Sequence, residues 1–262
     1  MKFETILFEV RDNVAHITLN RPAVANGLNL TMGKELMHAA ILCDEDPGVR
    51  AVLLTGAGRM FSAGGDLKSF SDLGDQLAAG LKEMTVYCHA AVSRLMRMDA
   101  PLVTAVNGAA AGMGMSFAIS GDIVLAAESA SFTAAYTAAA LSPDGGMTYL
   151  LPRMVGLLRA KEMMLMNRRL SARKALEWGL VNKIVADEEL MAEADTLARA
   201  IAAGPTRSFG TVKKLLNESF SETLETQMER EARGIVDMAK TGDSKEGIAA
   251  FFEKRRPNFN GL

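Results

Sequence analysis

Two glycine-rich segments carry the most readable chemistry in this chain. Phe61-Ser62-Ala63-Gly64-Gly65-Asp66-Leu67 follows one apolar run, and Asn107-Gly108-Ala109-Ala110-Ala111-Gly112-Met113-Gly114-Met115-Ser116 follows another and opens a helix. Small residues let a backbone approach a ligand closely, and the first N–H groups of a helix have no internal partner. Such donors suit an oxygen that carries or develops negative charge. The second segment is not a phosphate loop, because Gly-Lys-Ser/Thr is absent, and its glycine spacing does not match the dinucleotide fingerprint. Tight helix–strand packing is the competing reading of either segment alone. Both lie just past a strand end, where α/β proteins bind ligands, so two loops can aim two donors at one oxygen.

The titratable residues leave more alternatives open. Asp144, in Ser142-Pro143-Asp144-Gly145-Gly146, reads either as a helix N-cap or as a site carboxylate. His89 reads either as a helix residue held by a hydrogen bond or as an acid–base group. Gly114-Met115-Ser116 is part of a nucleophile elbow, but Ala118 stands where the second glycine belongs. A triad of Ser116, His89 and Asp144 therefore depends on the fold bringing the three together. His16 in a strand and His38 in a helix read as structural, and three scattered histidines give no metal site. Cys43 and Cys88 follow neither metal-ligand nor redox spacing.

The elements that must position these residues read as one α/β body. Phe3–Val10 and Val14–Leu19 form a hairpin around Arg11-Asp12-Asn13. Thr31–Asp44 is a helix with its apolar residues on one face and Asn29 or Thr31 as its cap. Ala51–Thr55 is a strand, and polar, mobile sequence extends from the first glycine segment to about Gly80. Glu83–Met98 is a helix, Pro101–Val106 a buried strand, 107–114 a loop and Met115–Ile119 a helix. Ile123–Ala126 and Ala130–Ala134 are further strands before a helix that starts at 143–146. Repeated strand-then-helix units without a long linker predict a single α/β architecture. From about Ala172 the chain turns helical, in Ala172–Trp178, Asp187–Ala203, Phe209–Ser219 and Ser221–Thr241. Met228, Ile235 and Met238 can face a partner subunit or a core.

Composition excludes several classes of function. The 262 residues hold 29 basic and 31 acidic side chains, so no global field draws the chain to nucleic acid or anionic lipid. No apolar run reaches the roughly 18 to 20 residues of a membrane span, because Val103–Ile119 is broken by Asn107 and several glycines. The chain begins on a strand-like segment without a leader pattern, and the cysteine usage fits a reduced, cytoplasmic compartment.

Along essentially its whole length the chain resembles the crotonase, or enoyl-CoA hydratase/isomerase, superfamily. The resemblance rests on Ile17-Thr18-Leu19-Asn20-Arg21-Pro22, Val52–Gly56, Phe61–Leu67, Pro101–Asp122, Trp178-Gly179-Leu180-Val181 and Ala250-Phe251-Phe252-Glu253-Lys254-Arg255. It implies a crotonase-like spiral of ββα repeats (1–200) with an α-helical C-terminal region (201–262) that builds homotrimers or hexamers. It also implies an acyl-CoA thioester substrate, with coenzyme A as part of that substrate and no separate cofactor. Matched by position, Ala63 and Met113 supply the two N–H groups of an oxyanion hole. Ala25, Asp66, Leu67 and Lys68 lie along CoA, while Phe251 and Lys254 reach CoA from a neighbouring region or subunit. A solvated C-terminal lysine is the plainer reading of Lys254.

The chain departs from the family's hydratases at the catalytic carboxylates. The two glutamates that add water to a conjugated double bond are replaced by Ser116 and Tyr136, neither of which is a carboxylate base near neutral pH. Asp144 stands instead where the hydratase has glycine. Gly121-Asp122-Ile123-Val124, Pro143-Asp144 and Leu150-Leu151-Pro152-Arg153 resemble the branch of ring 1,2-epoxyphenylacetyl-CoA isomerases and Δ3,Δ2-enoyl-CoA isomerases. The resemblance thus implies an isomerase with Asp144 as its base and Tyr136 and His89 at the acyl pocket. The alternatives are hydration, thioester hydrolysis and a dehalogenase-like hydrolysis, for which Asp144, His89 and Tyr136 match the nucleophile, base and aromatic positions. A catalytically silent binding protein is the remaining one.

Overall fold

The computed structural model describes residues 3–262. It opens with an antiparallel hairpin, β1 (Ile6–Arg11) and β2 (Val14–Leu19), which turns on Asp12 and Asn13 with positive φ. Both residue types tolerate that region, which two-residue hairpin turns require. α1 (Leu30–Glu45) is capped by the Asn29 side chain, which accepts from the Met32 N–H at 3.0 Å. Thr31, the other expected cap, lies inside the helix.

A repeating unit follows. Its first copy is β3 (Ala51–Gly56), β4 (Met60–Ser62), α2 (Leu67–Ser71) and α3 (Leu77–Arg97). The second is β5 (Leu102–Val106), β6 (Ala109–Ala111) and α4 (Met113–Ile119); the third is β7 (Ile123–Ala127), β8 (Ser131–Thr133), α5 (Met147–Val155) and α6 (Leu157–Met166). β9 (Leu170–Ser171), α7 (Ala172–Glu177) and β10 (Lys183–Val185) lead to α8 (Leu190–Ala202), α9 (Thr206–Ser219), α10 (Leu224–Ala239) and α11 (Gly242–Glu253). Each unit sends its first strand to a six-stranded sheet of order β1-β2-β3-β5-β7-β10 and its second to a four-stranded sheet of order β4-β6-β8-β9. That alternation is the ββα spiral.

Several expectations change in detail. The segment from 67 to 80, expected to be mobile, is helical in α2 and in the first turn of α3; its polar residues are the solvent side of helices, not the sign of a loop. The loop expected over 107–114 contains β6, and α4 starts at Met113, two residues early. Helices α6 and α11 were not foreseen.

Every residue of β3 and β5 is buried, as expected of central parallel strands covered on both faces. α8 lies across β3, β5 and β7 and buries Leu190, Ala194, Ala198 and Ala202 at four-residue spacing. α4 is buried along its whole length against β4, β5, β6 and α5. Burial on that scale fixes the position of Met113 at its head. By contrast, α10 has no buried residue, and Met228 and Ile235 are exposed while Met238 is half-buried against Thr211. Among the described residues no helix is long and apolar enough to cross a membrane.

Candidate active site

The two glycine segments meet at backbone distance. A Cβ on Gly64, whose φ is +90°, would stand 2.7 Å from the Ala111 carbonyl oxygen and 3.2 Å from the Gly112 Cα. Only glycine lets the strands approach this closely. The β4–α2 and β6–α4 connections consequently face one cavity of about 500 Å³, lined by Ala63, Gly65, Gly112 and Met113 among others. The N–H groups of Gly65 and Met113 have no acceptor among the described residues. Met113 is the first residue of α4, where the helix offers no carbonyl to its N–H.

Ala63 does not supply the expected donor. Its N–H gives a hydrogen bond of 2.9 Å to the Ala25 carbonyl, so Gly65, two residues further on, is the partner of Met113. A frame that the sequence reading missed holds this arrangement. Asn26 is fully buried, donates to the carbonyls of Ala57, Met60 and Phe61, and accepts from the Arg21 N–H at 2.9 Å. The Ser62 hydroxyl donates to the Asn26 carbonyl at 2.8 Å and accepts from the Gly64 N–H. Arg21 donates to the Gly27 carbonyl and pairs with Asp66 at 2.9 Å. Burial pushes the Asp66 carboxyl up, but the Ser69 N–H and hydroxyl and the Arg21 guanidinium together hold it below the ordinary carboxylate range. Asp66 also caps α2. It is a structural carboxylate at the cavity edge.

The opposite wall is made of side chains. Asp144 faces the cavity and accepts from the Tyr136 hydroxyl at 2.5 Å through Oδ1. Burial, followed by the Asp144 charge and the hydrogen bond to it, raises the Tyr136 phenol well above its ordinary value, so Tyr136 remains a donor. Ala135, which lines the cavity, holds φ at +62° and presents Tyr136, a strained conformation for a residue with a Cβ. The Ser116 hydroxyl donates to the Asp144 main-chain carbonyl at 2.9 Å and lies 3.3 Å from the Tyr136 oxygen. Asp144 is not the cap of α5: Gly146 holds that place without a side-chain hydrogen bond. Gly145 has φ +62°, and a Cβ there would strike the Met113 sulfur at 2.4 Å. The turn that carries Asp144 is thus packed against the residue that carries one of the free N–H groups.

His89 lies behind this wall. Its Nε2 accepts from the Gly145 N–H at 3.1 Å and is 3.4 Å from Asp144 Oδ2. Ser116 and His89 share no hydrogen bond, so the nucleophilic triad does not form.

The expected CoA residues divide. Asp66 and Leu67 line the cavity and Lys68 is exposed next to them. Ala25 opens onto a separate groove with Pro22, Gly58 and Arg59, while its neighbours Val24 and Gly27 face the cavity. Phe251, 79% exposed, and Lys254, the left-handed cap of α11, do not reach the cavity within one chain. The apolar lining of Phe70, Leu81, Met84 and Leu141 escaped the sequence reading. Leu81 and Met84 carry the signal that was there, an i, i+3 pair in a segment read as loop and helix start. His16 is buried beside Arg11, whose Nε donates to it at 3.1 Å, and burial, then the Arg11 charge, lowers its pKa. It is structural, as expected.

Two sheets wound by one strand–strand–helix unit around paired glycine segments define the crotonase fold, and the model of the enoyl-CoA hydratase/isomerase family matches residues 9–261. The chain belongs to that family, whose members act on acyl-CoA thioesters. It is similar to the 1,2-epoxyphenylacetyl-CoA isomerase of Escherichia coli K12, 40% identical over 98% of this chain and 99% of that one. It is also similar to the "Probable enoyl-CoA hydratase" of Rhodobacter capsulatus, 39% identical with full coverage of both chains. The crystal structure of an enoyl-CoA hydratase from Bacillus anthracis superposes with a TM-score of 0.93 at 32% identity, covering 99% of this chain and 100% of that one. Names of both kinds occur at nearly equal distance, so the reaction must be read from the residues around Asp144.

Proposed function

We propose that this protein is an acyl-CoA isomerase that shifts a double bond, or rearranges an epoxide, in a CoA thioester. One observation carries the reading: of the two carboxylates at the cavity, Asp66 is held by Arg21 and its helix, and Asp144 alone is presented to the substrate. Gly65 and Met113 N–H groups bind the thioester oxygen, and Asp144 removes a proton from the α-carbon to give an enolate. Preorganised donors stabilise that oxyanion by about 3 kcal/mol each. Asp144 then returns a proton to the γ-carbon, and the double bond moves into conjugation. Hydration would need a second group to hold and activate water. Ser116, committed to the Asp144 carbonyl, and Tyr136, kept protonated, do not supply it. The lining of Phe70, Leu81, Met84 and Leu141 suits an apolar acyl group. Incubation with a 3-enoyl-CoA and, separately, a 2-enoyl-CoA tests the reading. Conversion of the first is expected, and efficient water addition to the second would overturn it.

CoA lies along Ala25 and Asp66–Lys68 in this reading, with no cofactor beyond the CoA of the substrate. Phe251 and Lys254 complete a neighbouring subunit's site in a homotrimer or hexamer of this cytoplasmic enzyme. The exposed apolar residues of α10 and α11 support that assembly. In this reading 1–200 belongs to the spiral core and 201–262 to the helical region, Met1 and Lys2 lying outside the described residues; the end of α8 at Ala202 supports a junction near that point.

A further inference from the structure

The two oxygens of Asp144 face different compartments. Oδ1 accepts from Tyr136 on the side of the substrate cavity, and Oδ2 lies 3.4 Å from His89 Nε2. His89 does not line the substrate cavity. It lines a second cavity of about 320 Å³ with Ser93, Arg97, Gly146, Tyr149 and Asn217, and 48% of its side chain is exposed. The Asp144-Gly145 turn is the partition between the two spaces. Nε2 accepts the Gly145 N–H through its lone pair in this arrangement. A proton held by Asp144 on the substrate side has only the acyl chain to return to, because Tyr136 already donates to the same carboxylate. On the other side it faces a basic nitrogen open to water.

Resting on the isomerase reading, we propose that His89 is a proton relay that connects Asp144 to solvent through the second cavity. The protonated Asp144 carboxyl turns about its Cβ–Cγ bond, which carries the proton taken from substrate on the cavity side round to His89; its transfer to Nε2 regenerates the carboxylate and leaves an imidazolium. The imidazolium releases a proton to water, and the reverse sequence reloads Asp144 with a proton from solvent. While Nε2 is protonated the Gly145 N–H loses its acceptor and is left to water of the second cavity, which Gly145 lines. Nothing is oxidised or reduced, and the exchange is neutral overall. His89 acts through Asp144 and is a positioning and relay residue, not one that touches substrate.

The test is isomerisation of 3-hexenoyl-CoA in D2O, with deuterium read by mass spectrometry in both product and recovered substrate. The relay predicts deuterium at the γ-carbon of most product molecules and at the α-carbon of recovered substrate. In His89→Gln, whose amide oxygen can still accept the Gly145 N–H, the deuterium per turnover falls several-fold, whatever the rate of conversion. Ser93→Phe, on the exposed face of α3, narrows the second cavity and lowers the label in the same direction without touching His89. A residue that only supports the fold would change the rate and leave the label per turnover alone. Conversion without label in the wild-type protein overturns the relay and leaves the isomerase reading standing. Label without conversion, lost in His89→Gln, keeps the relay and overturns the isomerase reading. Equal label in wild type and both variants, or neither label nor conversion, overturns the relay.

Discussion

Gly65 and Met113 face the substrate cavity with main-chain N–H groups, whereas Asp144 and Tyr136 face it with side chains. The first wall depends on the absence of side chains: Gly64 and Gly112 must touch for the two donors to share a cavity. Its donors are main-chain groups, its one carboxylate, Asp66, is held by Arg21, and it can do one thing, hold an oxygen that gains charge. The second wall depends on which side chains are present, and a single substitution there changes the reaction that is possible. A shared backbone wall is thus compatible with isomerase and hydratase names among similar chains, and the side-chain wall is where they must part.

The largest expected effect comes from the side-chain wall. Asp144→Asn keeps the shape and the Tyr136 contact but removes the base, and isomerisation should fall by about 10²–10⁴. Binding of a saturated acyl-CoA, measured by calorimetry, should change little, because the N–H groups of the other wall are untouched. Unchanged turnover would mean that the proton is moved by another group. Gly64→Ala attacks the backbone wall instead. Its Cβ would meet the Ala111 carbonyl at 2.7 Å in a φ of +90°, prying the two donors apart. Loss of one donor's share predicts a fall of about 10²–10³ in kcat, with a lower Tm, and thioester binding should weaken with it. The two variants therefore differ in what happens to binding.

Ser116→Ala is the smaller counterpart. The hydroxyl supports the Asp144 carbonyl and contacts Tyr136, so its loss should cost about 1 kcal/mol of stability and less than about tenfold in isomerisation. A complete loss of turnover, with acyl-enzyme formation in the wild type, would restore the nucleophilic serine that the geometry disfavours.

How much of this was legible in sequence follows from the same contrast. Asp144, Tyr136 and His89 are identifiable as residue types, and the fold brings all three together. Main-chain donors have no residue type. Ala63 and Gly65 are both small, and only the 2.9 Å bond from the Ala63 N–H to Ala25 distinguishes the occupied donor from the free one. The same holds for β6, three alanines with no strand propensity, which pair only because β4 and β8 flank them. Asn26 escaped because a buried amide that bridges Ala57, Met60 and Phe61 looks, in sequence, like one more loop asparagine before glycine. The α1 cap at Asn29 and the buried runs of β3 and β5 were readable because they rest on local chemistry.

Alkaline pH separates the two walls by the most selective effect. The N–H groups of Gly65 and Met113 do not ionise in an accessible range, but the side-chain wall rests on α3, where burial, followed by the Asp144 charge, pushes the Cys88 thiol up to about 12. A thiol with a raised folded pKa binds its proton more tightly in the native state than in the unfolded one. The stability it confers is fully present below the ordinary thiol value near 9 and is lost as pH rises from there toward 12. Unfolding by urea at pH 8 and pH 10.5 should show that loss, with a slope of up to about 1.4 kcal/mol per pH unit for each such thiol. Cys88→Ala should flatten the slope. Cys43, pushed up to about 12 by burial and then by Asp46, is the matched control on α1: Cys43→Ala should flatten the slope equally. Of the two thiols, only Cys88 places a new negative charge beside Asp144 when it ionises. An alkaline decline in kcat that precedes unfolding should therefore disappear in Cys88→Ala and persist in Cys43→Ala. If it persisted in both, the decline would belong to another group, and the Cys88 thiol would have no electrostatic part in how that wall works.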